Sequence, residues 1–409
     1  MAGAAASAGM GGAGGAAAGG SGNPFQLATN LYCEKNQQAL VTNYTLTTTQ
    51  SAQGGAINSG QYLRGIHLIL RTVSAGASGT TAASAAPADD RPWNYFTQTD
   101  LVNVDGSEIL YPMGGYAHYL RQKYSKPWLG DPNLYYDAAN GTTIAPQCTL
   151  FLQPEIRWTA GVLANTDTRS QYRFDYTIDT LANVVSAATG GNTFSTGPSV
   201  SVTPYVDSWA QPDAEDLQGT ANQPVPPGLN LQVKSRHQIF TMNANGSDNI
   251  LQSALTGNAL RNQILVHRNG GSIRSEGLTD PIYWYVDNRS LGKISVNRST
   301  TAATGLASGD MVADWMAEFY QSFFPSYSVT PGNGLAAGFY MPHQREVGVY
   351  VFPRFIKPGD LFGQGWLYSA NSTKEIFESV SNVSTSGTLE LISDEVYPVG
   401  PVDPSLTDI

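Results

Sequence analysis

Histidine both ligates metals and transfers protons near neutral pH, so the five histidines are the first residues to weigh. His67, His118, His237, His267 and His343 are scattered along 409 residues, and none has a second His or Cys at ligand spacing. His343 and Glu346 make an H-x-x-E spacing that would face one way on a helix. Pro342 before them and alternating valines after them place the pair in a turn, so a surface turn outranks a metal site. The Asp89-Asp90 pair and the cluster Asp213, Glu215 and Asp216 could serve as the acid and base of a glycosidase, which needs two carboxylates across a cleft. Both groups sit in stretches rich in Ala or Pro and read instead as solvated loop acids. The loop Asn243 to Asn249 offers oxygens to calcium but lacks the carboxylate count and closing Glu of a strong site. No G-x-S-x-G elbow and no phosphate-binding loop occurs. The expectation is a protein without catalytic, cofactor or metal residues. The aromatic runs Trp93 to Phe96 and Tyr283 to Tyr285 could stack sugar rings, which keeps a secreted carbohydrate-binding or adhesin β-sandwich as the alternative. Burial in a core or an interface is the plainer reading of both.

The elements that would position such residues are mostly strands. Ile66, Leu68 and Leu70 alternate on one face of a strand over Tyr62 to Val73. Leu101 to Val104 and Ile109 to Tyr111 flank an Asp105-Gly106 turn. Short strands are predicted again at Tyr172 to Ile178, Ser199 to Val206, Leu229 to Met242, Ile264 to His267, Ile282 to Val286 and Val347 to Phe352. Two helices interrupt them. Tyr116, Leu120 and Tyr124 recur at helical spacing between Met113 and Pro127, and Met311, Trp315, Phe319 and Phe323 do the same between Asp310 and Pro325. The order of strands, one aromatic helix and a stopping proline thus occurs twice, nearly half a chain apart, which predicts two related domains in tandem.

Composition limits the function classes. Only 13% of residues are charged, about half of what soluble domains average, and Gly, Ser, Thr, Asn and Tyr fill the difference. A net charge of -10 with no dense run among 22 basic residues argues against coating nucleic acid. Residues 1–24 form a Gly/Ala-rich arm that lacks the basic start and Leu-like core of a secretory signal. Residues 25–210 read as the first domain, 211–228 as a linker carrying four prolines, and 229–374 as the second domain. After Lys374 come seven acids and no base, so 375–409 reads as an acidic tail. Cys33 and Cys148 read as two buried thiols rather than a bridge.

The run "NQILVHRNGGS", the helix "ADWMAEFYQSFFP", the strand "GLAAGFYMP", the turn "HQRE", "VGVYVFPRF" and "GQGWLYS" resemble the major capsid proteins of the tectivirus and adenovirus lineage. In the first half "GQYLRGIHLILRTV" and "ILYPMGGYAHYLRQKYSKP" match the corresponding strand and helix. The resemblance implies an all-β fold of two tandem eight-stranded jelly rolls, each with one short helix. It further implies a homotrimeric, pseudo-hexagonal capsomer in the icosahedral shell of a double-stranded DNA virus. The partners would be neighbouring capsomers, penton or minor capsid proteins and an internal membrane, with no direct contact to nucleic acid. The location implied is the virion, after synthesis in the host cytoplasm.

Overall fold

The computed structural model describes residues 33–37, 42–45, 50–59, 61–74, 76–78, 90, 92–125, 135–140, 143–156, 161–165, 167–179, 194–196, 199–209, 231–243, 248–269, 273–274, 278–287, 289–294, 298–299, 308–309, 348–353, 366–381 and 387–398. Among these the chain is built from strands, with one α-helix, α1 (Gly115–Ser125), and one 3-10 turn, Trp93–Tyr95. The predicted strands and first helix fall where alternation and spacing place them. The arm, the 211–228 linker, the Asp310 to Phe324 helix, Cys33's side chain, and Asp89, Asp213, Glu215, Asp216, His343 and Glu346 lie outside what the structure describes.

Three sheets carry the fold. A nine-stranded sheet follows the path Cys33–Gln37, Ser199–Trp209, Gln61–Ser74, Thr143–Leu152, Gly76–Ser78 and Phe194–Thr196. A ten-stranded sheet runs Ile273–Arg274, Ala259–Asn269, Gly387–Pro398, Leu231–Met242, Glu108–Met113, Phe96–Val102, Arg173–Ile178 and Gln50–Ala56. A four-stranded sheet consists of Asp248–Ala254, Lys374–Ser381, Leu278–Val286 and Arg289–Ile294. The ten-stranded sheet is shared by both halves of the chain, which is why its count exceeds the four strands expected of one face of a jelly roll. Its halves join where Leu231–Met242 runs parallel to Glu108–Met113 with Ser235 opposite Leu110, and Ser235 Oγ accepts the Tyr111 N–H at 3.1 Å.

Side-chain alternation builds two sandwiches on this frame. Ile66, Leu68, Leu150 and Val202 of the nine-stranded sheet pack with Leu101, Ile109 and Phe174 of the shared sheet. Leu265, Leu389 and Leu391 of the shared sheet pack with Leu251, Trp284 and Phe377 of the four-stranded sheet. The intervening residues Ile264, Val266, Val349, Val351 and Ile392 point the other way and belong to the first half's core. Ala259–Asn269 and Gly387–Pro398 are therefore buried on both faces, which a continuous apolar run such as Ile264-Leu265-Val266 requires. Between Phe96–Val102 and Glu108–Met113, Gly106 takes φ +83° and Asp105 Oδ1 accepts from Ser107 N at 2.8 Å and Ser107 Oγ at 2.6 Å.

One boundary needs correcting. Residues 375–381 and 387–398 are not a solvated tail: Lys374–Ser381 lies within the four-stranded sheet, and Gly387–Pro398 sits between Ala259–Asn269 and Leu231–Met242. Counting acids hid a strand pattern in which Phe377, Leu389, Leu391, Ile392 and Val396 are buried.

Candidate functional site

The chemistry-bearing residues converge on α1 and the strands above it. Tyr116, Tyr119, Leu120 and Tyr124 are buried, and they take His118, Arg121 and Gln122 inside with them. A helix buried on every side lies within a core rather than upon it. Trp93 stacks on Tyr119 with ring centroids 3.5 Å apart, and Gly115 approaches the Trp93 carbonyl so closely that a Cβ would sit 2.4 Å from its oxygen. The helix packs on the first half below and on Ala259–Asn269 and Gly387–Pro398 of the second half above.

Two ionic clusters cross this seam. Arg121 Nε donates to Asp394 Oδ1 at 3.2 Å and its Nη2 to the Gln153 carbonyl at 3.0 Å. Arg261 Nη2 donates to the other oxygen of Asp394, so one carboxylate lies between a guanidinium from each half, both with side chains 0% exposed. Burial holds the Arg121 pKa below the usual range, with Asp394 acting against it and Arg261 adding to it. Asn262 Nδ2 adds a bond to the Tyr124 carbonyl at 3.2 Å. In the second cluster Asp90 pairs with Arg268 at 2.6 Å and with Arg274 at 3.0 Å. Arg268 also donates to Glu390 at 2.6 Å, and His237 Nε2 lies 3.5 Å from the same carboxylate. Both arginines lie over the Tyr116 ring, at 5.9 and 4.9 Å. Burial raises the Asp90 pKa against the two arginines, whereas His237 and Arg268 overcome burial and hold Glu390 low.

A third cluster lies on the outer face of the first half. Arg64 Nε donates to Glu155 at 2.8 Å, Trp209 Nε1 donates to the other Glu155 oxygen at 3.0 Å, and Arg64 lies over the Trp209 ring at 4.6 Å. His67 Nε2 lies 3.1 Å from Asp207 Oδ2, with its ring stacked on Phe151. The second half has a comparable group in its own core, where Glu375 accepts from Trp284 Nε1 at 2.6 Å and Gln263 Nε2 at 2.7 Å. Glu395 accepts from Arg236, Thr256 and Asn258 at 3.1, 2.7 and 2.8 Å.

These positions correct the reading of Asp90, which is a partly buried ion-pair partner across the seam rather than a solvated loop acid. Among the described histidines each has its own partners. His67 and His237 stand beside different carboxylates, and His118 Nε2–H donates to the Thr99 carbonyl at 2.9 Å. Burial pushes the His118 pKa down to about 3. His267 is buried in a strand, and among the described residues no group of three or more His, Cys, Asp and Glu could hold a metal ion. Cys148 is a buried thiol directed at the Pro92 carbonyl, 3.9 Å away. Trp93, Tyr95 and Phe96 are core residues, not a sugar platform. Asn249 Oδ1 accepts the Asn243 N–H at 2.7 Å, which closes the loop once weighed for calcium. Sequence reasoning missed the carboxylates Glu375, Glu390, Asp394 and Glu395. The usable signal was their place within apolar alternation, and the arginines that receive them are remote in sequence.

The carboxylates are thus engaged by guanidinium, indole and amide donors, and Asp90 and Glu390 grip one arginine between them. Such an arrangement clamps two halves together.

No family model matches the sequence, and no curated protein matches it. Solved structures do match in shape. The STIV major capsid protein superposes with TM-score 0.55 at 13% identity, over 89% of this chain and 96% of its own. A chain from the atomic structure of Sulfolobus Turreted Icosahedral Virus gives 0.56 at 13% identity, over 89% and 90%. A chain of the PBCV-1 virus capsid gives 0.50 at 11% identity, over 89% and 93%. At such identities the likeness is one of fold, and on it together with the paired sandwiches described above, the chain is a double jelly roll.

Proposed function

We propose that this chain is a viral major capsid protein: a homotrimer of pseudo-hexagonal outline that tiles the icosahedral shell of a double-stranded DNA virus. The observation that carries the reading is the seam, where a shared sheet and a buried helix hold two similar sandwiches side by side. Three such subunits present six sandwiches to one closed ring. The structures of like fold support it, being by their names a major capsid protein, an icosahedral virus and a virus capsid. The reading assigns the protein no catalytic residue, cofactor or metal, and places it in the virion. Its partners are other copies of itself, penton or minor capsid proteins and an inner membrane; the acidic balance disfavours the genome as a direct contact.

Light scattering on the purified full chain should report roughly 130 kDa, three times 43.6 kDa, under the closed-ring rule. A monomer at micromolar concentration that binds glycans would favour the carbohydrate-binding alternative instead. The arm has too little apolar surface to fold alone, so its role in this reading is contact with neighbours during assembly. Deleting Met1 to Gly22 should leave a normally melting trimer while reducing the yield of shells in an assembly assay.

A further inference from the structure

The two halves carry one motif in the same register. Where Gln61–Ser74 pairs with Ser199–Trp209, the register steps from Leu63 opposite Ser208 to Gly65 opposite Asp207, leaving Arg64 as the extra residue of a β-bulge. Where Ala259–Asn269 pairs with Gly387–Pro398, it steps from Leu260 opposite Glu395 to Asn262 opposite Asp394, leaving Arg261. Each bulge arginine approaches the aspartate beside it: Arg64 Nη1 lies 3.9 Å from Asp207, and Arg261 bonds Asp394. Counting outward from the bulge, Ile69 corresponds to Val266 and His67 to Ile264. The paired strands extend the match, so that Thr149 corresponds to Val349 and Tyr205 to Ile392.

The second-half members of these pairs are completely buried, because α1 and the first half's core lie over them. Their first-half counterparts Ile69, His67, Thr149 and Tyr205 are only partly covered. One sandwich therefore has its outer face closed by the neighbouring sandwich of the same chain, and among the described residues the matching face of the other sandwich has no such cover. Repetition of one contact from sandwich to sandwich is a heterologous interface, which closes into a ring when the rotation permits. The replacements of Ile264, Val349 and Ile392 by His, Thr and Tyr suit a face that is wet before assembly and covered after it.

We infer that the outer face around Ile69 and His67 is the docking surface for the second half of a second copy of this chain. The inference rests on the trimer reading and names the surface that closes it. The test begins by sizing the wild-type chain: a monomer overturns the trimer reading and this assignment with it. Given a trimer, Ile69→Arg is expected to lower the mass about threefold while circular dichroism and melting stay those of a folded chain. A folded variant that remains trimeric overturns the docking surface and leaves the trimer reading standing. Should that variant not fold, diethyl pyrocarbonate labelling of His67 in wild type decides the matter. Protection in the trimer that is lost on dilution to monomer supports the assignment, and equal labelling in both states overturns it.

Discussion

Arg64 and Arg261 occupy the same bulge in the same strand of two related sandwiches, yet their side chains are 17% and 0% exposed. Both carboxylates are buried, but the partners of Asp207, Arg64 and His67, are partly exposed, whereas Asp394 is enclosed between Arg261 and an arginine from the other half, both fully buried. The bulge, its arginine and its aspartate are equivalent, and the difference in exposure lies in what covers them. A cation that loses its carboxylate costs little where it can turn to water and much where it cannot.

The comparison is tested most severely by removing each carboxylate. Asp394→Ala strands two buried guanidiniums and is expected to cost about 3 to 5 kcal/mol, while Asp207→Ala leaves partly exposed partners that can turn to water and should cost about 1 to 2 kcal/mol. Urea unfolding of the two variants measures both, and equal losses would break the comparison. Placing Arg at matched outer-face positions sharpens it: Val266→Arg should destabilise by about 3 kcal/mol or more, and Ile69→Arg by under about 1 kcal/mol in the monomer.

A smaller effect separates two groups of the first half by sign. Burial raises the Asp100 pKa to about 6, with Asp175 adding to it, so the stability that its protonation supplies is complete below pH 3.8 and lost as pH rises through 6. His118, buried neutral with a pKa of about 3, contributes stability that is complete above pH 6.5 and lost as pH falls through 3. Between pH 4 and 6 the two oppose each other. Asp100→Asn should therefore leave stability rising with pH across that window, and His118→Gln should leave it falling, each by up to about 1.4 kcal/mol per pH unit. Melts at pH 4, 5 and 6 read the slopes. A small change, about 1 kcal/mol in the same melts, is expected for Gly106→Ala, since only backbone strain at a positive φ is involved and nothing lies within 4 Å of where the Cβ would sit.

What was legible in the sequence was what is local. The spacing of Tyr116, Leu120 and Tyr124 declared α1, and the alternation of Ile66, Leu68 and Leu70 declared a strand. What stayed hidden depends on distant residues. Arg121 read as a cation suited to a helix C-terminus, because its partner Asp394 is 273 positions away. Asp90 read as solvated because Arg268 and Arg274 lie in the other half. The acids after Lys374 looked like a tail because charge was counted without the period on which it fell.

That long separation sets an order in time. At roughly 5 to 20 residues per second, about 14 to 55 s pass on the ribosome between the synthesis of Arg121 and that of Asp394. Until then the first half holds a helix whose buried guanidinium lacks that counter-charge, and α1 is expected to stay loose enough to keep Arg121 hydrated. Insertion of Gly387–Pro398 into the middle of the shared sheet supplies the charge and the cover together. The nascent first half would therefore fold early but seal late, with its amide protons in α1 exchanging freely until Gly387–Pro398 is in place.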